Sequence, residues 1–133
     1  NRASAAGDIS KSIKALSTEL NVPIILLSQL NRVSESRETK EPTMADLRES
    51  GDIEQDASNI ILLWNVSEDR QHKGLKVEKQ RQGEPMKEGI DFDGDHMTFI
   101  ESNEPFEKYL SRIRAQEKSR AEFQDAMDGE APF

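Results

Sequence analysis

Ile9, Ile13, Leu16 and Leu20 recur at helical spacing and form one stripe of an amphipathic helix, with Asp8 standing at the N-cap position. Asn21-Val22-Pro23 ends that helix, because proline lacks the N–H to continue it and pushes the preceding residue into an extended conformation. The run Pro23-Ile24-Ile25-Leu26-Leu27 follows at once, apolar throughout, and a second such run, Asn59-Ile60-Ile61-Leu62-Leu63-Trp64, comes later. A helix leading into an unbroken apolar run predicts a central strand covered on both faces, as in a parallel sheet. The fold class expected is α/β, with parallel strands flanked by helices and an antiparallel extension at one edge.

Between the two runs, residues 31–43 are polar and read as a long solvated loop, a kind that is usually functional or disordered. Residues 45–57 predict a short helical region broken at Gly51, and residues 66–74 a polar turn. Strands are expected at 75–80, 86–92 and 97–100, separated by the turns Gln82-Gly83-Glu84-Pro85 and Asp93-Gly94-Asp95. After Pro105, Phe106, Tyr109, Leu110 and Ile113 mark one helix face. The stripe fades there, and residues 115–133 are mostly polar or charged, as in a frayed or disordered tail. Residues 1–104 thus form one domain, and residues 105–133 a helix with an acidic tail.

The chain has 133 residues, enough for one domain with a real core, and 18 Lys+Arg against 26 Asp+Glu give a net charge of −8. That acidity argues against a surface that is basic all over for nucleic acid, though not against a small local basic site. Hydrophobic residues make up only 34%, so part of the chain is expected to lie exposed or against a partner. There is no cysteine, which removes thiol nucleophiles, zinc knuckles and disulfides together and fits a cytoplasmic setting. No apolar stretch is long enough to span a bilayer, so no membrane association is expected. The opening residue is Asn1 in a small polar stretch, which reads as a cut in a loop of something longer.

Three stretches carry candidate chemistry. A buried parallel strand ending in Ser28-Gln29 delivers both to the carboxyl edge of the sheet, where α/β proteins bind ligands. A glutamine there can donate to a phosphate oxygen and accept from an attacking water; the plainer reading is a chain leaving its core. In Asp46-Leu47-Arg48-Glu49-Ser50-Gly51, the glycine lets backbone N–H groups approach an anion that the arginine completes; the plainer reading is an exposed acidic helix with a break. In Lys79-Gln80-Arg81, residues two apart on a strand present two cations one way, which suits a polyphosphate; the plainer reading is a charged edge strand that resists aggregation. His72 and His96 have no ligand partners at metal spacing and read as surface residues, so no metal site is expected. No carboxylate pair stands out as an acid–base couple, and Trp64 reads as a core or interface residue rather than a base-stacking platform.

The order and spacing of these stretches say more than any one of them. Leu20-Asn21-Val22-Pro23-Ile24-Ile25-Leu26-Leu27-Ser28-Gln29-Leu30-Asn31-Arg32, then Asp46 to Gly51, Ile53-Glu54-Gln55-Asp56-Ala57 and Lys79-Gln80-Arg81-Gln82-Gly83, resemble the bacterial replicative DNA helicase family, DnaB-type, of superfamily four. The resemblance covers about residues 1 to 101 and leaves the tail after Ser102 unexplained. It implies a ring-shaped hexamer of RecA-like ATPase domains that moves along single-stranded DNA, with primase and a helicase loader as further partners. It further implies that Gln29 senses the γ-phosphate and links it to the DNA-binding loops. Arg48, Glu49 and Gly51 would lie on a loop facing the central channel. Lys79 and Arg81 would project into the neighbouring subunit's nucleotide site, Arg81 as the arginine finger. Such a ring needs cations only on inner loops and seams, which reconciles DNA binding with the acidic balance.

The departures bear on activity. No G-x-x-x-x-G-K-[ST] occurs in the chain, and the apolar runs end at Ser28 and Asn65 where an Asp would hold Mg²⁺. The resemblance is thus to the C-terminal half of the motor domain. ATP and Mg²⁺ are expected in the full-length protein and neither bound by this fragment, which by itself should not hydrolyse ATP. Gln82 and Glu84 differ from the family's asparagine and proline-glycine turn. Two other readings stay open: a non-catalytic interaction module that binds helicase subunits or DNA, and a recombinase- or clock-type RecA relative, which the Asp46 to Gly51 stretch does not support.

Overall fold

A computed structural model of the chain describes residues 2–47 and 51–129. Its elements run α1 (Arg2–Leu20), a 3₁₀ turn (Arg32–Ser36), a second 3₁₀ turn (Met44–Asp46), α2 (Gly51–Asp56), β1 (Asn59–Asn65), β2 (His72–Gln80), β3 (Met86–Asp93), β4 (Thr98–Glu101) and α3 (Phe106–Gly129). The strands form one sheet in the order β1-β2-β3-β4. The links at 66–71, 81–85 and 94–97 are far shorter than a parallel crossover needs, so the sheet is an antiparallel meander. Between β3 and β4 the pairing sets Phe92 opposite Phe99, ring centroids 5.0 Å apart. The chain is mixed α/β as expected, and the antiparallel extension is present. It divides into two compact units, Asn1–Trp64 with Lys76–Met86, and Asn65–Leu75 with Lys87–Phe133.

In the first unit α1 begins at Arg2, well before the expected Ile9, and Asp8 lies inside it. Arg2-Ala3-Ser4-Ala5-Ala6 carries no apolar stripe, yet alanine is the best helix former. The helix ends before Pro23 is reached. Asn21 turns into the left-handed region (φ 51°), its N–H bonds to the Thr18 carbonyl, and the Val22 N–H bonds to that of Ser17. Those two bonds make a Schellman cap. The face of α1 against α2 is small and polar. Gly7 is buried where a Cβ would run into the Asp52 carboxylate, and Ser10 Oγ donates to Asp56 Oδ2 at 2.7 Å. Ile9, Leu16 and Leu20 stay exposed.

Residues 22–29 run extended without strand pairing, and Ile25 and Leu27 are 89% and 90% exposed. The buried parallel strand expected here is therefore not made within this chain, because a strand exists only by its ladder. β1 alternates as well, with Ile60, Leu62 and Trp64 buried and Ile61 and Leu63 exposed, so one face is covered where two were expected. The core of this unit is Leu47, Ile60 and Leu62, packed by Leu30, Met44, Ile53 and Ala57. The 31–43 segment opens with one 3₁₀ turn and leads into the second, and its Pro42 is fully buried.

In the second unit β2 opens at His72, inside the expected turn, and α3 runs unbroken to Gly129. Phe106, Tyr109 and Ile113 are its buried residues. The Tyr109 hydroxyl donates to Asp91 Oδ1 at 2.7 Å, with the Ile90 carbonyl at 3.1 Å, and His72 Nδ1 meets the same Asp91 oxygen at 2.6 Å. His72 is thus half-buried and bonded, where the sequence suggested a surface histidine. Burial and the Asp91 carboxylate push the Tyr109 phenol well above its usual value. Gly89 is buried under the Tyr109 ring, with no room for a Cβ.

Candidate functional site

Gln29 is exposed at the end of the extended stretch, one residue before the chain meets a second segment. Leu30 forms an antiparallel bridge with Leu47, and the Asn31 N–H donates to the Asp46 carbonyl at 2.6 Å. The bridge joins the segment that follows Gln29 to the residues that lead into positions 48–50. Arg48 and Glu49 lie outside the described residues, and Gly51 opens α2.

Asp46 holds this junction together. Its side chain is 5% exposed, and Arg37 grips it with both terminal nitrogens, Nη1 to Oδ2 at 2.6 Å and Nη2 to Oδ1 at 2.8 Å. The Thr43 N–H and hydroxyl add bonds to Oδ2 at 2.8 and 3.1 Å. The Arg37 bond above all, then the Thr43 donors, hold the Asp46 carboxyl at about 2 against the opposing effect of burial. The folded value lies below the ordinary 3.8, so the pair's contribution to stability is complete above that value and lost as pH falls through about 2. Urea midpoints of the intact protein should exceed those of Asp46→Asn at neutral pH and converge with them in strong acid; a difference that persists there would exclude this titration.

Lys79 Nζ donates to the Glu54 carbonyl at 2.7 Å and to that of Gln55 at 3.4 Å. It thus meets carbonyls at the end of α2, which a short helix leaves without intrahelical partners. β2 stops at Gln80, so strand alternation does not extend to Arg81, which lies exposed in the bend that follows. Lys79 and Arg81 are therefore not two cations on one strand face: one is engaged with α2, the other is open to solvent. Lys76, on the same strand, is 13% exposed and bonds to Glu41 Oε1 (3.0 Å), Glu78 Oε2 (2.8 Å) and the Pro42 carbonyl (2.9 Å).

Sequence reasoning did not find Arg37, Asp46 or Lys76. Thr43 and Asp46 stand three apart, the spacing of a capping box, and that was the one signal in the sequence that could have marked Asp46 as more than a surface charge. Among the described residues no group of three or more His, Cys, Asp or Glu could hold a metal ion, and no helix is long and apolar enough to cross a membrane.

The model of the DnaB-like helicase C-terminal domain family matches residues 1–101. The replicative DNA helicase DnaB of Haemophilus influenzae is 42% identical over 105 residues, which cover 74% of this chain and 22% of that protein. A solved ATPase domain superimposes with a TM-score of 0.70 at 33% identity, covering 77% of this chain and 38% of its own. A DnaB-like replicative helicase, solved in a study of its interactions with primase, gives 0.68 at 34% identity, covering 75% of this chain and 26% of its own. The chain spans about a fifth of the length of the curated relatives it matches.

Proposed function

This chain belongs to the DnaB-like helicase C-terminal domain family, and from that premise we propose that it is the sensing and finger-bearing half of a RecA-like motor in a hexameric replicative helicase. The intact protein couples ATP hydrolysis to movement on single-stranded DNA in the cytoplasm. Residues 1–104 are the motor part and residues 105–133 its appended helix. Gln29 senses the γ-phosphate, the loop with Arg48, Glu49 and Gly51 holds the DNA backbone, and Arg81, with Lys79 beside it, completes the site of the next subunit. Primase and a helicase loader are further partners.

The observation that carries this reading is the Leu30–Leu47 bridge, which joins the stretch ending in Gln29 to the residues leading into the DNA loop. A change at one is delivered to the other through a single hydrogen-bonded pair of backbones. The Lys79 grip on the end of α2 supports it from the other side, because α2 is the helix into which that loop runs.

The chain's residues fit the sensing of a triphosphate and the completion of a neighbour's site. They do not fit the cradling of ATP and Mg²⁺, for which a P-loop and a metal-binding Asp are wanted. ATP with its Mg²⁺ supplies the phosphoryl group when bound to the full-length protein, and this chain alone is expected to be inactive. Its own contribution is to place one amide and one guanidinium: the amide orients a water or a phosphate oxygen, and the guanidinium neutralises charge that grows in the transition state.

The test is Arg48→Ala in the intact protein. Binding to a single-stranded oligonucleotide should weaken, and the slope of log affinity against log salt should flatten by about one unit, because one phosphate contact has been removed. An unaltered slope would count against the channel-loop role.

A further inference from the structure

β2 ends at Gln80 and Arg81 lies exposed in the bend that follows, so where its guanidinium goes depends on how that bend is built. A long side chain loses freedom when its end is placed, and it loses less when the backbone beneath it is already set. On the strand side that backbone is fastened: Lys79 Nζ donates to the Glu54 carbonyl at 2.7 Å, which ties the last residues of β2 to the end of α2. On the other side the Gln80 side chain reaches forward past Arg81, and its Nε2 donates to the Gln82 carbonyl at 3.4 Å. The bond spans Arg81 and closes the bend around it. Gly83 makes room for this clasp. A Cβ there would stand 2.5 Å from the Gln80 amide nitrogen and 2.7 Å from its carbon, and the backbone, at φ 158°, is one that residues with a Cβ rarely take. The clasp uses the main-chain oxygen of Gln82, which any residue supplies, so the departure from the family's asparagine at that position leaves it intact.

We propose that Gln80 and Gly83 are positioning residues for the guanidinium of Arg81: Gln80 clasps the bend, Gly83 admits the clasp, and neither touches the neighbouring subunit's nucleotide. The proposal rests on the reading of Arg81 as the arginine finger, and it adds two residues to which that reading gives no task. An exposed hydrogen bond adds little to the stability of a fold. Its effect here is on direction, and a reacting group misplaced by about 1 Å can lose on the order of 10²-fold in rate.

The test uses the intact protein, with ATP turnover and equilibrium binding of a fluorescent nucleotide measured on the same preparation. Gln80→Met keeps the length of the side chain and removes its donor, and Gly83→Ala pushes the amide out of its place. Each should lower kcat about tenfold while nucleotide affinity stays within about twofold. In an Arg81→Ala background, read by single-turnover hydrolysis of radiolabelled ATP, Gln80→Met should cost nothing further, because no guanidinium is left to aim. A further loss of about tenfold in that background would mean that Gln80 acts by itself, and would overturn the proposal. A fall in nucleotide affinity in step with turnover would make Gln80 a contact of the triphosphate or a support of the whole fold, and would overturn it too. So would turnover by Gln80→Met within about twofold of the unaltered protein. Should Gly83→Ala fail to assemble, Gln80→Met decides alone. Arg81→Ala by itself separates the two failures: if it lowers turnover and Gln80→Met does not, this proposal fails and the finger reading stands. If Arg81→Ala leaves turnover intact, the finger reading fails and takes the proposal with it.

Discussion

Replacing Arg81 with alanine in the intact protein should lower ATP turnover by roughly 10³–10⁵ while nucleotide affinity changes no more than a few-fold. The asymmetry follows from the proposed geometry. A guanidinium supplied by a neighbour adds little to the ground-state triphosphate, which has its own cradle, and much to a transition state whose oxygens gain charge. Arg81 suits that task because the bend after β2 leaves it exposed. Steady-state turnover and equilibrium binding of a fluorescent nucleotide, on the same preparation, give the two numbers. A mixing experiment adds the geometry: Arg81→Ala subunits combined with subunits defective in the nucleotide cradle should regain part of the turnover, since each lacks what the other supplies. Turnover within a few-fold of the unaltered protein would remove the finger assignment.

Much of the fold was legible because its signals are local. The two ends of β3 sit beside the turn residues Pro85 and Gly94, and α3 begins where Pro105 and Phe106 said it would. The start of α1 was not legible, since alanines carry no stripe to count. The covered strand expected at 23–27 was read from side chains alone, but pairing is a property of neighbouring backbones that composition does not reveal. The candidate site divides the same way. Gln29, Arg48 and Arg81 stood out through the company of adjacent residues. Arg37 and Asp46 are nine residues apart, Lys76 and Glu41 thirty-five, and Lys79 meets α2 carbonyls about twenty-five positions upstream. No periodicity joins such partners, and main-chain acceptors leave no trace in the identity of a residue. His72 with Asp91, nineteen apart, escaped notice on the same ground.

Gln29→Ala should lower DNA-stimulated turnover by about 10²–10³, the usual cost of losing one placed donor at a reacting oxygen. Affinity for the single strand, measured without nucleotide, should hold, because the Leu30–Leu47 bridge and the Arg37–Asp46 pair do not depend on the amide. The informative quantity is the ratio of turnover with DNA to turnover without it. A sensor that relays occupancy to the loop should drive that ratio toward one. A glutamine that merely marks the chain's exit from its core should leave the ratio intact, and that result would dissolve the sensing role. Gln29→Glu sharpens the comparison: it keeps the reach and exchanges a donor for a charge of the same sign as the phosphate, so it should do no better than alanine.

The bare stretch at 22–29 carries a practical warning for whoever purifies this polypeptide by itself. Its N–H and C=O groups make no ladder, and Ile25 and Leu27 face water, which is the recipe for one molecule to recruit the next rim to rim. Concentrated samples should thicken into ribbons before they crystallise, and a lysine in place of Ile25 is the mildest way to keep them apart.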